Sequence, residues 1–117
     1  MNLNQQSVQA ARAALQSMWG DICEIWRATK AGNVKKETRR YAGVRCHLST
    51  KTLPQLTQDN AGATATQYMV YFDPAQDVTE GDTLRLVHKG RKYLCIVGRV
   101  HEYNVNKVAP VEVVEIA

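Results

Sequence analysis

The feature that most constrains the fold is a change of hydrophobic period at Gly20. Before it, Val8, Ala11, Leu15 and Met18 recur at the spacing of one helix face, and alanines between them favour helix. The pattern predicts a helix over residues 4–19, stopped at Gly20. After it, apolar residues alternate with period two, beginning with Asp21-Ile22-Cys23-Glu24-Ile25-Trp26-Arg27 and ending near Ile116. No second helical stretch follows, so the alternation of strands and helices that builds a parallel sheet is excluded. The expected fold is mainly β: a small antiparallel β-barrel with an N-terminal α-helix and a long inserted loop.

The strands can be placed from their punctuation. Val34–Arg40 reads as a polar strand, and Tyr41–Leu48 as another strand or its continuation. The Ala42-Gly43 pair inside it signals a bulge or a close backbone approach. Gln67–Phe72 reads as a strand whose Tyr-Met-Val-Tyr-Phe run is apolar on both faces and therefore central. Lys89-Gly90-Arg91 is a hairpin turn. The alternation slips at Val113-Val114, which predicts a bulge or a corner. Residues 49–66 are polar and small, carry Pro54 and Gly62, and are expected to form a long loop.

With 117 residues, 44% apolar and 22% charged, the chain is expected to be one domain: residues 1–20 as a helical extension and 21–117 as the barrel. No apolar run spans a bilayer, and the opening residues lack the blocks of a signal peptide, so a cytoplasmic, membrane-free protein is expected. Cys23, Cys46 and Cys95 are odd in number and widely spaced. They are expected to be buried hydrophobes, without disulfide or zinc.

Catalytic constellations are missing. The chain has no glycine-rich phosphate loop, no GxSxG and no HExxH, and His47, His88 and His101 each sit in a strand with no activating neighbour. No enzyme, cofactor or metal is expected.

Charge is segregated instead. Residues 27–51 carry a net charge of +7, residues 52–84 a net of −5 with no Lys or Arg, and residues 85–101 a net of +5. Such blocks suit either nucleic acid or head-to-tail contact between opposite faces of neighbouring subunits. The candidate contact residues are Arg27, Lys35, Lys36, Arg39 and Arg40 on the basic side. On the acidic side they are Asp73, Asp77, Glu80 and Asp82.

An ordered set of short motifs adds to this. Residues 21–27 open a barrel directly after a helix. Tyr41-Ala42-Gly43-Val44-Arg45-Cys46-His47-Leu48-Ser49 matches a Tyr-x-Gly-Val-x-Cys-x-Leu-Ser pattern. A long polar loop follows, then Tyr71-Phe72-Asp73-Pro74, then Asp77-Val78-Thr79-Glu80-Gly81-Asp82-Thr83, then a basic hairpin and a Val/Glu strand. Over about residues 20–117 this order resembles the head-closure proteins of tailed bacteriophages, also called stopper or head–tail joining proteins. Arg45 and the long N-terminal helix depart from the pattern.

The resemblance implies a virion protein of the phage neck, assembled in the host cytoplasm. It would form a homo-oligomeric ring beneath the portal and its adaptor, close the DNA-filled head, and dock the tail. It also implies sequence-nonspecific contact with packaged double-stranded DNA, and a loop that narrows the channel. Lys51, Pro54, Gln55, Gln58, Asp59 and Gly62 belong to that loop. A small basic OB- or SH3-like nucleic-acid-binding barrel is the alternative, with tyrosines at 41, 68, 71, 93 and 103 available for stacking on bases. Another neck protein, an adaptor or tail terminator, is a third reading.

Overall fold

A computed structural model describes residues 3–55 and 63–117. One helix, α1 (Leu3–Gln16), precedes the strands β1 (Asp21–Ala31), β2 (Val34–Gln55), β3 (Ala63–Phe72) and β4 (Thr83–His88). Then come β5 (Arg91–Val97), β6 (His101–Glu102) and β7 (Lys107–Ile116). All pairings are antiparallel. Neighbours run β3-β2-β1-β4-β5-β7-β6, and β3 also pairs with β7, so the chain of hydrogen bonds returns to its start. The expected mainly β, antiparallel fold with an N-terminal helix is what forms.

Alternation decides which side chains fill the interior. Cys23 and Ile25 of β1 point inward, as do Cys46 and Leu48 of β2, Val70 and Phe72 of β3, and Leu84 and Leu86 of β4. Cys95 and Val97 of β5, Ala109 and Val111 of β7, and Val78 of the segment before β4 complete the cluster. The three cysteines are free and buried, as the sequence predicts. Burial pushes the Cys95 thiol up to about 11, and contact with Cys23 and burial together raise Cys46 further. These thiols behave as small hydrophobes.

Bulges fall where the local sequence signals them. Cys23 faces Val44 but Ile25 faces Tyr41, so β2 carries an extra residue at Ala42-Gly43, and Gly43 holds φ at 64°. A second extra residue, Arg40, follows between Tyr41 and Arg39. In β7, Leu94 faces Glu115 while Cys95 faces Val113, which leaves Val114 unpaired at the expected slip. The β4–β5 hairpin turns on Lys89 and Gly90, both with positive φ, the geometry whose twist matches that of paired strands.

Two expectations are corrected. Residues 49–66 are not a loop throughout: Ser49–Gln55 pairs in register with Ala63–Met69, so Pro54 and Gln55 lie in β2 opposite Thr64 and Ala63. Threonines Thr50, Thr52, Thr64 and Thr66 supply the β-branched residues of this hairpin. Gln58, Asp59 and Gly62 lie outside the described residues. The helix is also oriented differently than its apolar stripe predicts. Leu15 is 40% and Met18 80% exposed, whereas Val8, Arg12 and Gln16 are half-buried. Arg12 Nη2 donates to the Asn104 carbonyl at 3.0 Å and Gln16 Nε2 to Asp73 Oδ1 at 2.6 Å, so polar contacts seat the helix. Buried Trp19 follows it.

Candidate functional site

The long β2 outruns its neighbours at both ends, and this creates the candidate surfaces. On one side, β4 pairs with β1 only over Ile22–Trp26. Beyond Trp26, β1 and β2 continue alone, from Arg27 opposite Thr38 to Ala31 opposite Val34. At the other end, β7 pairs with β3 only from Tyr68 onward, so Lys51–Gln55 and Ala63–Gln67 continue alone. Each continuation is a two-stranded arm, and the arms leave opposite ends of β2. The radius of gyration, 16.6 Å, exceeds the roughly 13 Å of a compact chain this long, as protruding arms require.

The first arm is basic. Arg27, Lys30, Lys35, Lys36, Arg39 and Arg40 stand along it or at its base, against Glu37. Lys30 lies directly opposite Lys35, and both are exposed. Arg39 Nη1 donates to Glu24 Oε2 at 3.0 Å; with a second bond from Trp26 Nε1, this holds the Glu24 carboxyl below its usual range. Arg85 stacks on Trp26, 4.4 Å from the ring centroid. The second arm carries Lys51 at its base and no other charge among its described residues.

A partly buried clamp locks the base of the first arm. Arg27 Nε and Nη2 donate to the two carboxylate oxygens of Asp82 at 3.0 Å each, and Nη1 and Nη2 to those of Asp77 at 3.2 Å. Tyr41 Oη donates to Asp77 Oδ2 at 2.9 Å. Asp82, 2% exposed, also accepts from the Thr79 amide at 2.9 Å and the Thr79 hydroxyl at 3.1 Å, which closes the loop before β4. The two carboxylates raise the Arg27 pKa still further, Asp82 most. Arg27 and then Tyr41 hold the Asp77 carboxyl below its usual range, and Asp77 in turn raises the Tyr41 phenol.

The expected contact residues fall in different settings. Arg27, Asp77 and Asp82, expected to meet neighbouring subunits, pair with one another within the chain. Asp73 is occupied by Gln16 and by the Ala75 amide at 2.7 Å. Glu80, Lys35, Lys36 and Arg40 remain exposed. The structure therefore brings the cations of the first arm together at one end, with Asp77 and Asp82 held at its base.

One node escaped the sequence reading. Asp21, 5% exposed, accepts from the Leu48 amide at 2.8 Å, and its Oδ1 lies 2.8 Å from His88 Nδ1. His47 Nδ1 stands 4.0 Å from the same carboxylate. Nothing local in Asp21 signals this, because its partners come from β2 and β4. Of the tyrosines, Tyr41 serves the clamp, Tyr68 and Tyr93 pack against the core with ring centroids 6.5 Å apart, and Tyr103 is exposed. Tyr71 is half-buried, its ring centroid 5.9 Å from that of His47. Among the described residues, no group of three acidic, histidine or cysteine side chains is arranged to hold a metal ion, and no helix is long and apolar enough to cross a membrane.

No protein-family model and no curated protein sequence matches the chain. Among solved structures, the chain is similar to xkdH, a protein of the phage-like element PBSX of Bacillus subtilis. The likeness covers 83% of this chain and 96% of that one, with a TM-score of 0.55 and 16% sequence identity. What the two share is the fold.

Proposed function

We propose that this chain is a structural, non-enzymatic protein of the neck of a tailed phage or phage-derived particle: a ring subunit that closes the DNA-filled head and receives the tail. The observation that carries this reading is the fold shared with a phage-element protein over 83% of this chain and 96% of that one. The motif order over residues 20–117 points the same way.

The pairing circuit from β3 through β2, β1, β4, β5 and β7 back to β3 supports a small barrel as the body. A body with arms at opposite ends gives a subunit reach in two directions, which a ring between two other assemblies needs. The second arm is the better candidate for narrowing a channel. Apart from Lys51, its described residues are uncharged, and an arm without ion pairs has few contacts to break when DNA must pass.

The test replaces residues 56–62 with Asn-Gly, a turn that closes a two-stranded hairpin. The body is expected to fold, while particles assembled with the variant lose DNA or fail to join tails. Particles that keep their DNA and infect normally, or purified particles that lack the chain, would overturn the reading.

A further inference from the structure

We infer that the basic arm, Arg27–Ala31 with Val34–Arg40, is a duplex-DNA contact that holds phosphates with Lys30, Lys35 and Lys36. This deepens the neck reading by naming the residues that touch DNA.

Three observations carry it. First, Lys30 and Lys35 are a directly opposed, exposed like-charge pair, and Lys36 stands beside them across from Thr29. Like charges facing each other across a ladder oppose pairing, so a hairpin that only had to fold would avoid them. An anionic partner turns that repulsion into attraction.

Second, the acidic segment expected to receive this arm is mostly engaged inside its own chain. Among the described residues, the acids that stay exposed outside ion pairs, Glu37, Glu80, Glu112 and Glu115, are scattered along the sequence. Asp77 and Asp82 are held by Arg27, Asp73 by Gln16 and Ala75, Glu24 by Arg39, and Glu102 by Lys107 at 3.5 Å. Among the described residues, Lys30, Lys35 and Lys36 have no ion-pair partner. The acidic segment expected to receive this arm from a neighbouring subunit has Glu80 left to offer.

Third, the cations occupy both faces of the ribbon. Residues opposed in the ladder share a face, so Lys30 and Lys35 lie on one and Lys36 on the other. A flat acidic protein surface meets one face of a ribbon. A DNA major groove is wide enough to admit a two-stranded ribbon and presents phosphates on either side of it. Contacts of this kind carry no sequence preference.

The test measures anisotropy of a labelled, random-sequence DNA duplex with the full chain, between about 50 and 200 mM salt. Each phosphate contact contributes about −0.9 to the slope of log affinity against log salt. Lys30→Ala with Lys35→Ala should make that slope shallower by about 2 and weaken unrelated sequences alike. Lys92→Ala, an exposed cation on β5, should leave the slope unchanged. An unchanged slope in the double variant, no binding by the native chain at low salt, or poly-glutamate bound as tightly as the duplex would overturn the inference. Incorporation of the double variant into particles is scored separately. The neck reading stands if incorporation persists without DNA affinity, and falls if the native chain is itself absent from particles.

Discussion

The two arms are built alike and equipped differently. Both are two-stranded continuations of β2 beyond the strands that cover its middle. The first concentrates cations and is braced at its base by Arg27, Asp77, Asp82 and Tyr41. The second depends on threonine-rich strand pairing, with Lys51 at its root. An arm that must hold a charged partner needs a stiff root, because a mobile one would pay ordering entropy on every contact. The channel role proposed for the second arm suits a root without such a brace. Charge and bracing go together in the first arm, and both are scarce among the described residues of the second.

The sharpest way to break the comparison is to remove the brace. Arg27→Ala leaves the buried Asp82 carboxylate without its cation, and losing one partner of a buried pair typically costs about 3–5 kcal/mol. Chemical denaturation should report a loss of that size, and Arg27→Lys should recover part of it, because an ammonium lacks the fork that meets two carboxylates at once. Alanine at Lys51, rooted on the other arm, should leave stability within about 0.5 kcal/mol.

A smaller effect separates the arms by pH. Arg27 and Tyr41 depress the Asp77 pKa, so its contribution is present above the ordinary carboxylate value of 3.8 and disappears as pH falls through the lower folded value. Asp77 is partly exposed, so the contribution is about 0–1 kcal/mol. The urea midpoint of the native chain should fall more steeply below about pH 4 than that of Asp77→Asn. Equal steepness would mean that the outer carboxylate of the clamp is idle.

The smallest expected effect has an unusual sign. Lys35→Glu places an opposite charge across from Lys30, and should stabilise the chain by roughly 0.2–1 kcal/mol. The same change should weaken DNA binding. A variant that gains stability and loses affinity would show that the native pair is kept for a partner. A variant that loses stability would show that Lys35 has a structural partner after all.

Much of this molecule was legible in its residues because the signals are local. The period change at Gly20, the bulges at Gly43 and Val114, the Lys89-Gly90 turn and the buried cysteines each follow from a few neighbouring side chains and the steric rules of the backbone. The hairpin hidden in residues 49–66 was not legible, since Pro54 and a run of small polar residues read as loop until a partner strand is in register. Nor was the seating of the helix on Arg12 and Gln16 in preference to Leu15 and Met18.

Charge shows the division most clearly. The order of residues sets where the cations and anions lie along the chain, and folding sets which of them find partners. Arg27 is 50 positions from Asp77 and 55 from Asp82, and no local pattern pairs them. Folding brings β1 against the loop before β4, and a carboxylate buried there must take a cation or lose its charge. That requirement engages Asp82 and Asp77 with Arg27 and leaves the lysines of the first arm exposed.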